Sequence, residues 1–401
     1  MFTAVTFALR RAEPAPDVVV VGAGVVGAAC ALAAAEAGLA VTVLDRGPLA
    51  GGTTSAGEGN LLVSDKPPGP ELALALHSLD AWATLARELT ERTGRPGGGF
   101  EFEAKGGLIV ATGEAALADV ATLATAQRGA GVTVTDVPAA GLPDLEPHLA
   151  PDLAGGAFYP QDAQLQPVLA AAHLLARARD LGARVLPGTE VVGLLRSGGR
   201  VVGVRTAGGE LPAGAVVNAA GPWASAIGEL AGVRLPVLPR RGVILVTTPL
   251  PPLIRHKVYA AEYVADVASD HAGLESSAVV EGTPSGTVLV GASRERVGFA
   301  PGMPVAVLRR LARQAVRLFP VLGGARLLRT YRGYRPYCPD HLPVIGADPR
   351  APGLFHACGH EGAGIGLAAG TGLLVAQVLA GRTPDLDLTP FRPERFEEPA
   401  A

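Results

Sequence analysis

Apolar residues along this chain keep two periods, and each predicts its own elements. Residues 17–21 read DVVVV, a continuous β-branched run of the kind that forms a parallel strand covered on both faces. A glycine turn follows, then an alanine-rich helix to about Gly38, then a second apolar strand from Ala40 to Leu44. Strand, helix, strand in that order is a βαβ opening. Leu72, Leu76, Leu79, Trp82, Leu85 and Leu89 recur at helical spacing and predict a packing helix, on which His77 reads as structural. FEFEAKGGLIVAT, from Phe100, predicts strands of a second lobe, and a helix follows from about Ala115 to Gly129.

From Gln166 to Gly221 the pattern runs helix, strand, hairpins punctuated by SGGR and AGGE, then strand. Residues 235–287 turn β-rich and proline-punctuated, around RRGVILVTTP and GTVLVGAS. PVAVLRRLARQAVRLFP is an amphipathic helix with its arginines toward water. The last apolar block, GLFHACGHEGAGIGLAAGTGLLVAQVLAG, predicts a strand, a glycine turn and a long C-terminal helix.

Composition narrows the partners. The 401 residues exceed what one small core holds, so two domains are expected. With 34 basic against 37 acidic residues, the chain has no field suited to nucleic acid or an anionic membrane, and a small-molecule partner is favoured. Cys30, Cys338 and Cys358 form no CxxC pair. They are too few for an iron–sulfur cluster, which would have to sit on another chain, and no metal site is expected. Arg10 and Arg11 before the apolar opening imitate a twin-arginine leader or a membrane span. Gly22, Gly24, Gly27, Gly38 and Glu36 interrupt that run, so a cytoplasmic protein without membrane insertion is expected.

The chemistry begins at GAGVVG, Gly22 to Gly27, which fits G-x-G-x-x-G between a strand and a helix. Such glycines make a tight turn, let a pyrophosphate approach the backbone and bring helix against strand, with the helix N-terminus holding the phosphates. Asp45, at the end of the second strand, stands where a carboxylate binds ribose hydroxyls. A nicotinamide enzyme would continue with regular βα units. This chain instead offers three more small-residue stretches: GGTTSAGEGN at 51–60, VVNAAGPWA at 216–224 and GHEGAGIG at 359–366. Four separated glycine loops suit an extended flavin dinucleotide, which needs backbone donors from distant segments.

The stretches DVVVVGAGVVGAACALAAAEAGLAVTVLDRG, GGTTSAGEGNL, GTEVVGL, VVNAAGPWA, LPRRG, GYRPYCPDHLPVIG and GHEGAGIGLAAGTG follow one another in the order found in the FAD-dependent D-amino-acid and glycine oxidase superfamily. The chain resembles that superfamily from about Asp17 to Phe396. Within it, ESSAVVEGTPSGTVLVGASRERVGF and HLPVIGADPRAPGLFHACGHEGAGIG look most like flavin subunits of heteromeric dehydrogenases acting on D-hydroxyproline, proline, opines or glycine, as in hydrogen cyanide synthase. The resemblance implies an α/β protein with a Rossmann-like FAD-binding domain of glutathione-reductase type and a second α+β substrate domain on a mixed or antiparallel sheet. The expected boundaries are an N-terminal extension at 1–16, a discontinuous FAD domain at 17–98, 150–235 and 330–396, and a substrate domain at 99–149 and 236–329.

Residue by residue, the resemblance implies non-covalent FAD contacts at Gly22, Gly24, Val25, Val26 and Gly27, at Asp45 and Arg46, and at Thr53, Thr54, Gly59 and Asn60. It adds Val191 and Gly221, and the loop under the flavin ring, Gly359, His360, Glu361, Gly362, Ala363, Gly364, Ile365 and Gly366. Arg335 in GYRPY matches the arginine that grips the substrate carboxylate, as a planar two-donor fork does. Arg335 and His360 are the expected catalytic pair, and Arg240 and Arg241 read as structural.

The implied reaction is oxidation of the C–N bond of a small amino or imino acid. A hydride passes from the carbon beside the amine to flavin N5, and water hydrolyses the imine. The start of the C-terminal helix near Gly364 would aim its dipole at the charge that develops on the flavin. Partner subunits carrying an iron–sulfur cluster and a second flavin are implied as electron acceptors. The alternative is a stand-alone glycine, D-amino-acid or sarcosine oxidase that makes hydrogen peroxide; a nicotinamide dehydrogenase and an RNA-modifying flavin module fit less well.

Three departures stand out. Gly362 replaces the arginine of glycine oxidases, and ESSAVV lacks their aromatic, leaving Tyr259, Tyr263 or Tyr334 to replace it. Gly333 occupies the position of the cysteine that tethers flavin in monomeric sarcosine oxidases.

Overall fold

The computed structural model describes residues 14–267 and 269–396. Arg10, Arg11 and most of the expected extension lie outside the described residues.

Two sheets carry the architecture. The first has six strands, in the order β18 (Val344–Ala347), β19 (Leu354–Cys358), β12 (Ala215–Asn218), β1 (Val18–Val21), β2 (Val41–Asp45) and β8 (Arg184–Pro187). All neighbours are parallel except β18, which runs antiparallel to β19. The DVVVV run is buried throughout its strand, as a parallel strand with both faces covered requires. Helix α1 (Val25–Glu36) joins β1 to β2, giving the expected βαβ unit.

The second sheet has eight strands, in the order β17 (Leu327–Tyr337), β13 (Leu238–Thr247), β16 (Val288–Arg294), β15 (Glu275–Gly282), β14 (Lys257–Ala260), β4 (Gly107–Ala111), β6 (Gly155–Tyr159) and β5 (Thr135–Pro138). It is mixed, with one parallel pair, β14 on β4. The hairpins SGGR and AGGE connect a small antiparallel sheet of β9 (Val191–Ser197), β10 (Arg200–Thr206) and β11 (Gly209–Pro212). A short ladder of β3 (Asn60–Leu61) and β7 (Ala163–Gln164) completes the strands.

Two expectations shift. The expected FAD-domain ranges hold all of 155–159 and most of 327–337, yet both segments hydrogen-bond into the eight-stranded sheet, at β4 and β13. Neighbouring strands, not chain continuity, decide which sheet a segment joins. Of FEFEAKGGLIVAT, only Gly107–Ala111 is strand, and Glu103 makes an isolated bridge to Gln164.

The helices are α1, α2 (Pro70–Thr93), α3 (Glu114–Gly129), α4 (Leu142–Leu145), α5 (Pro167–Asp180), α6 (Ala224–Leu230), α7 (Glu262–Val267), α8 (Val305–Leu318) and α9 (Gly364–Leu379). Alanine fills α1 because α9 crosses it closely: a Cβ at Gly372 would lie 2.6 Å from the Ala29 carbonyl carbon. Residues 361–379 are long and apolar enough to cross a membrane, but in this fold α9 packs on α1 and α2, with Leu367, Leu374 and Val375 buried in the main core. Helix α8 lays Val307, Leu311 and Leu318 on the eight-stranded sheet, each contributing roughly 1.5–3 kcal/mol by burial, while Arg309, Arg310, Arg313 and Arg317 face water.

Candidate active site

The first turn shows why its glycines are needed. Gly22 has φ +113°, and a Cβ on it would sit 2.4 Å from the Ala219 carbonyl oxygen. A Cβ on Gly27 would lie 1.9 Å from the Gly22 oxygen, so the helix can start hard against the strand only with glycine there. Helix α1 then opens its N-terminus onto a cavity of about 730 Å³.

Distant segments converge on that cavity. Gly22, Gly24, Val25 and Val26 line it at the first turn, Asp45 and Arg46 at the end of β2, and Thr53, Thr54 and Asn60 along the glycine-rich loop. Val191 and Gly221 form another part of the wall, and His360, Glu361, Gly362, Gly364 and Ile365 bring the C-terminal loop and the start of α9. Gly27, Gly59, Gly359 and Gly366 are not among the residues that line the cavity. Three of them admit a close backbone: a Cβ on Gly59 would lie 1.8 Å from the Leu165 oxygen, and one on Gly366 3.3 Å from the Asn60 oxygen. Ala363 borders a smaller adjoining recess.

Several of these side chains also hold the walls in place. Asp45 accepts the Ala23 and Gly47 N–H groups, each at 2.8 Å. Thr54 accepts the Val25 N–H at 3.0 Å, and Thr53 donates to the Tyr334 carbonyl at 2.6 Å. Arg46 stacks over Trp223 at 4.3 Å, and Trp223 lies parallel to Phe299 with ring centroids 5.2 Å apart.

At the far end stands Arg335, on β17. It donates from Nη1 to the Ser293 carbonyl at 2.8 Å. No carboxylate among the described residues lies within salt-bridge distance of it. Burial, helped by the neighbouring charge of Arg294, pushes its pKa down to about 10. Two glycines give it room: a Cβ on Gly242 would meet Nη1 at 2.1 Å, and one on Gly362 would come 3.5 Å from Nε. Gly362, the apparent loss of an arginine, therefore borders the guanidinium that remains.

Arg240 and Arg241 are structural, as expected. Arg240 is fully buried and pairs with Glu275 and Glu361, and Arg241 pairs with Glu295 at 2.7 Å. Glu361 sits at φ +46°, with its carboxylate held by Arg240 and His341. Burial alone would raise that carboxyl, but the bonds from His341 and Arg240 outweigh it and hold it low. His360 contacts Thr371 Oγ1 through Nε2 at 3.0 Å, and burial depresses its pKa to about 3. It is a neutral wall of the site, not a charged acid. Of the three tyrosines, Tyr263 lines the cavity. Tyr259 is buried beside it, ring centroids 5.1 Å apart, and Tyr334 donates to the Ala300 carbonyl at 2.8 Å.

Sequence reasoning missed four residues here. Glu58 lies in the middle of the glycine-rich loop, buried on the cavity wall, 3.8 Å from Lys257, which pairs with Glu281 at 2.6 Å. Burial raises the Glu58 carboxyl, with Lys257 opposing and Glu281 adding to the rise. Arg294, at the end of β16, stands beside Arg335. The available signal was rarity: the chain has only three lysines, Lys66, Lys105 and Lys257, among 34 basic residues. A chain that uses arginine almost everywhere on its surface keeps lysine for the interior, with Lys66 and Lys257 buried and Lys105 partly so.

Comparison with known proteins agrees with this geometry. The family model DAO, described as FAD dependent oxidoreductase, matches residues 17–378. Hydrogen cyanide synthase subunit HcnC of Pseudomonas aeruginosa is 34% identical over 339 residues, covering 82% of this chain and 75% of the relative. Glycine oxidase of Geobacillus kaustophilus is 33% identical over 380 residues, covering 94% of this chain and 96% of the relative. Its crystal structure superposes with a TM-score of 0.85 at 31% identity, over 96% of this chain and 99% of that one. An L-proline dehydrogenase from P. horikoshii shares the fold, with a TM-score of 0.84 at 24% identity over 95% and 97% of the two chains.

Proposed function

The chain belongs to the DAO family of FAD-dependent oxidoreductases, and from that premise we propose that it oxidises the C–N bond of a small amino or imino acid and passes the electrons to a partner subunit. FAD, when bound, supplies the two-electron acceptor. The chain supplies the cradle and the substrate's orientation. The first turn and the N-terminus of α1 suit the pyrophosphate, Asp45 stands at the end of β2 for the ribose, and α9 starts at the cavity wall, where its dipole favours negative charge.

One observation carries the substrate class: a buried guanidinium, Arg335, lines the cavity with no carboxylate among the described residues within salt-bridge distance. A substrate carboxylate would complete it and fix the reacting carbon in near-attack geometry. The substrate loses two electrons and two protons, and its C–N single bond becomes C=N. Water then hydrolyses the imine to a carbonyl and an amine, which stay joined when the substrate is cyclic. His360, neutral and engaged with Thr371, suits a site that excludes a competing acid. The relation to HcnC, named as a subunit, supports a partner chain as electron acceptor; the relation to glycine oxidase supports oxygen as the second reading.

The test is anaerobic bleaching of bound flavin by glycine, sarcosine, D-proline, cis-4-hydroxy-D-proline, D-alanine and an opine. Arg335→Met should retain flavin but raise the apparent substrate constant roughly 10- to 150-fold, the value of one charge-assisted contact. Unchanged affinity in that variant would remove the carboxylate anchor. Peroxide from the isolated chain in air would favour oxygen; turnover only with an artificial dye would favour a partner.

A further inference from the structure

Arg335 shares its end of the cavity with a second guanidinium. Arg294 closes β16, on the far side of β13 from β17, and its residue is 3% exposed. Its Nη1 is buried without a hydrogen-bond partner, and no carboxylate among the described residues is within salt-bridge distance. Its resolved contact is the face of Tyr263, 4.9 Å from the ring centroid. The other buried arginines of this sheet behave differently, Arg240 holding two carboxylates and Arg241 one. A buried charge without a paired counter-charge is costly, so two guanidinia lining one recess with no ion-paired carboxylate call for a ligand that completes them.

Both arginines border a recess of about 30 Å³ that shares Tyr263, Arg335, His360 and Glu361 with the main cavity. The other charges on the recess cancel among themselves. Lys66 pairs with Asp65 at 2.6 Å, and Glu361 pairs with Arg240 and His341. Burial raises Glu71 to about 7, toward its neutral form. Among the described residues, Arg294 and Arg335 are left as two positive charges with no carboxylate within salt-bridge distance, Asp266 acting on Arg294 only as a longer-range attraction.

We propose that the substrate carries two carboxylates, one taken by Arg335 beside the amine-bearing carbon and the second by Arg294, which makes it a dicarboxylic amino or imino acid. This rests on the amine-oxidising function proposed above and narrows it. Tyr263, stacked under Arg294, would hold that guanidinium's plane toward the recess.

The test is titration of the holoenzyme with acetate, malonate, succinate and glutarate, read as a shift of the visible flavin spectrum and needing no turnover. At least one dianion should bind roughly 10- to 150-fold more tightly than acetate, the value of one added charge-assisted contact. Arg294→Met and Arg294→Gln should erase that preference while keeping acetate binding. The wild-type series stands by itself if a variant loses flavin. Equal binding of acetate and every dianion overturns the inference, as does an Arg294→Met variant that weakens all four anions alike. Acetate binding that ignores Arg335→Met would instead overturn the carboxylate anchor of the proposed function, so the two failures are distinct.

Discussion

Lys257 offers the sharpest test of how the wall behind the cavity is held. Its ammonium is fully buried, 2.6 Å from Glu281 and 3.8 Å from Glu58, and Glu281 also accepts the Gly59 N–H at 3.1 Å. Replacing it by methionine keeps the apolar stem and removes the charge, leaving two carboxylates buried without their cation. Breaking a buried pair in this way costs about 3–5 kcal/mol. At roughly 2.1 cal/mol/K of unfolding entropy per residue, a chain of this length should lose about 4–6 °C in apparent Tm.

The loss must depend on pH, and its sign is set by the carboxylates. Burial already raises the Glu58 carboxyl, and losing Lys257 raises it further. A carboxyl whose folded pKa lies above its unfolded value of about 4.3 holds its proton in the folded state and is penalised as pH rises through the folded value. The deficit should therefore be small near the unfolded carboxylate range and largest in alkaline buffer. Thermal melts of wild type and Lys257→Met across that range measure it. The double variant Lys257→Met with Glu281→Gln should recover part of the loss, because it removes one orphaned charge. A deficit independent of pH, or none at all, would refute the reading of a buried charge triad.

Two further predictions concern the cofactor cradle. Gly27→Ala places a Cβ 1.9 Å from the Gly22 backbone oxygen, so α1 and the first turn must separate; the variant should purify with much less visible flavin per protein and a lower Tm, and full flavin content would contradict the close-packing role. His360 has its folded pKa depressed to about 3 by burial, so its contribution to stability is present above the unfolded value of about 6.5 and is lost as pH falls through that value. His360→Gln should make Tm fall less steeply with acidification below that point; an unchanged slope would mean that the ring is not held neutral.

Much of the nucleotide half was legible because its constraints are local. DVVVV, GAGVVG and Asp45 lie within one βαβ unit, and Gly27 answers a steric demand from Gly22 in the same turn, although Gly22 answers one from Ala219, just after β12. The alanine-rich α1 and the arginine face of α8 were readable for the same reason: one helix period states which face is covered. The residue types of FEFE at 100–103 favour sheet, but its glycine-rich approach at 97–99, all three with positive φ, turns the backbone away from one.

The sequence by itself therefore determined the βαβ cradle and the family, and singled out Arg335 as the residue proposed to anchor the substrate. The tertiary structure decided what surrounds that anchor. Arg294 and Arg335 are brought together by strand order, since β13 lies between β16 and β17, and Glu58, Lys257 and Glu281 meet only because the loop after β2 packs under β14 and β15. Whether a buried charge finds a partner depends on through-space distance and dielectric, and no periodicity along the chain encodes either.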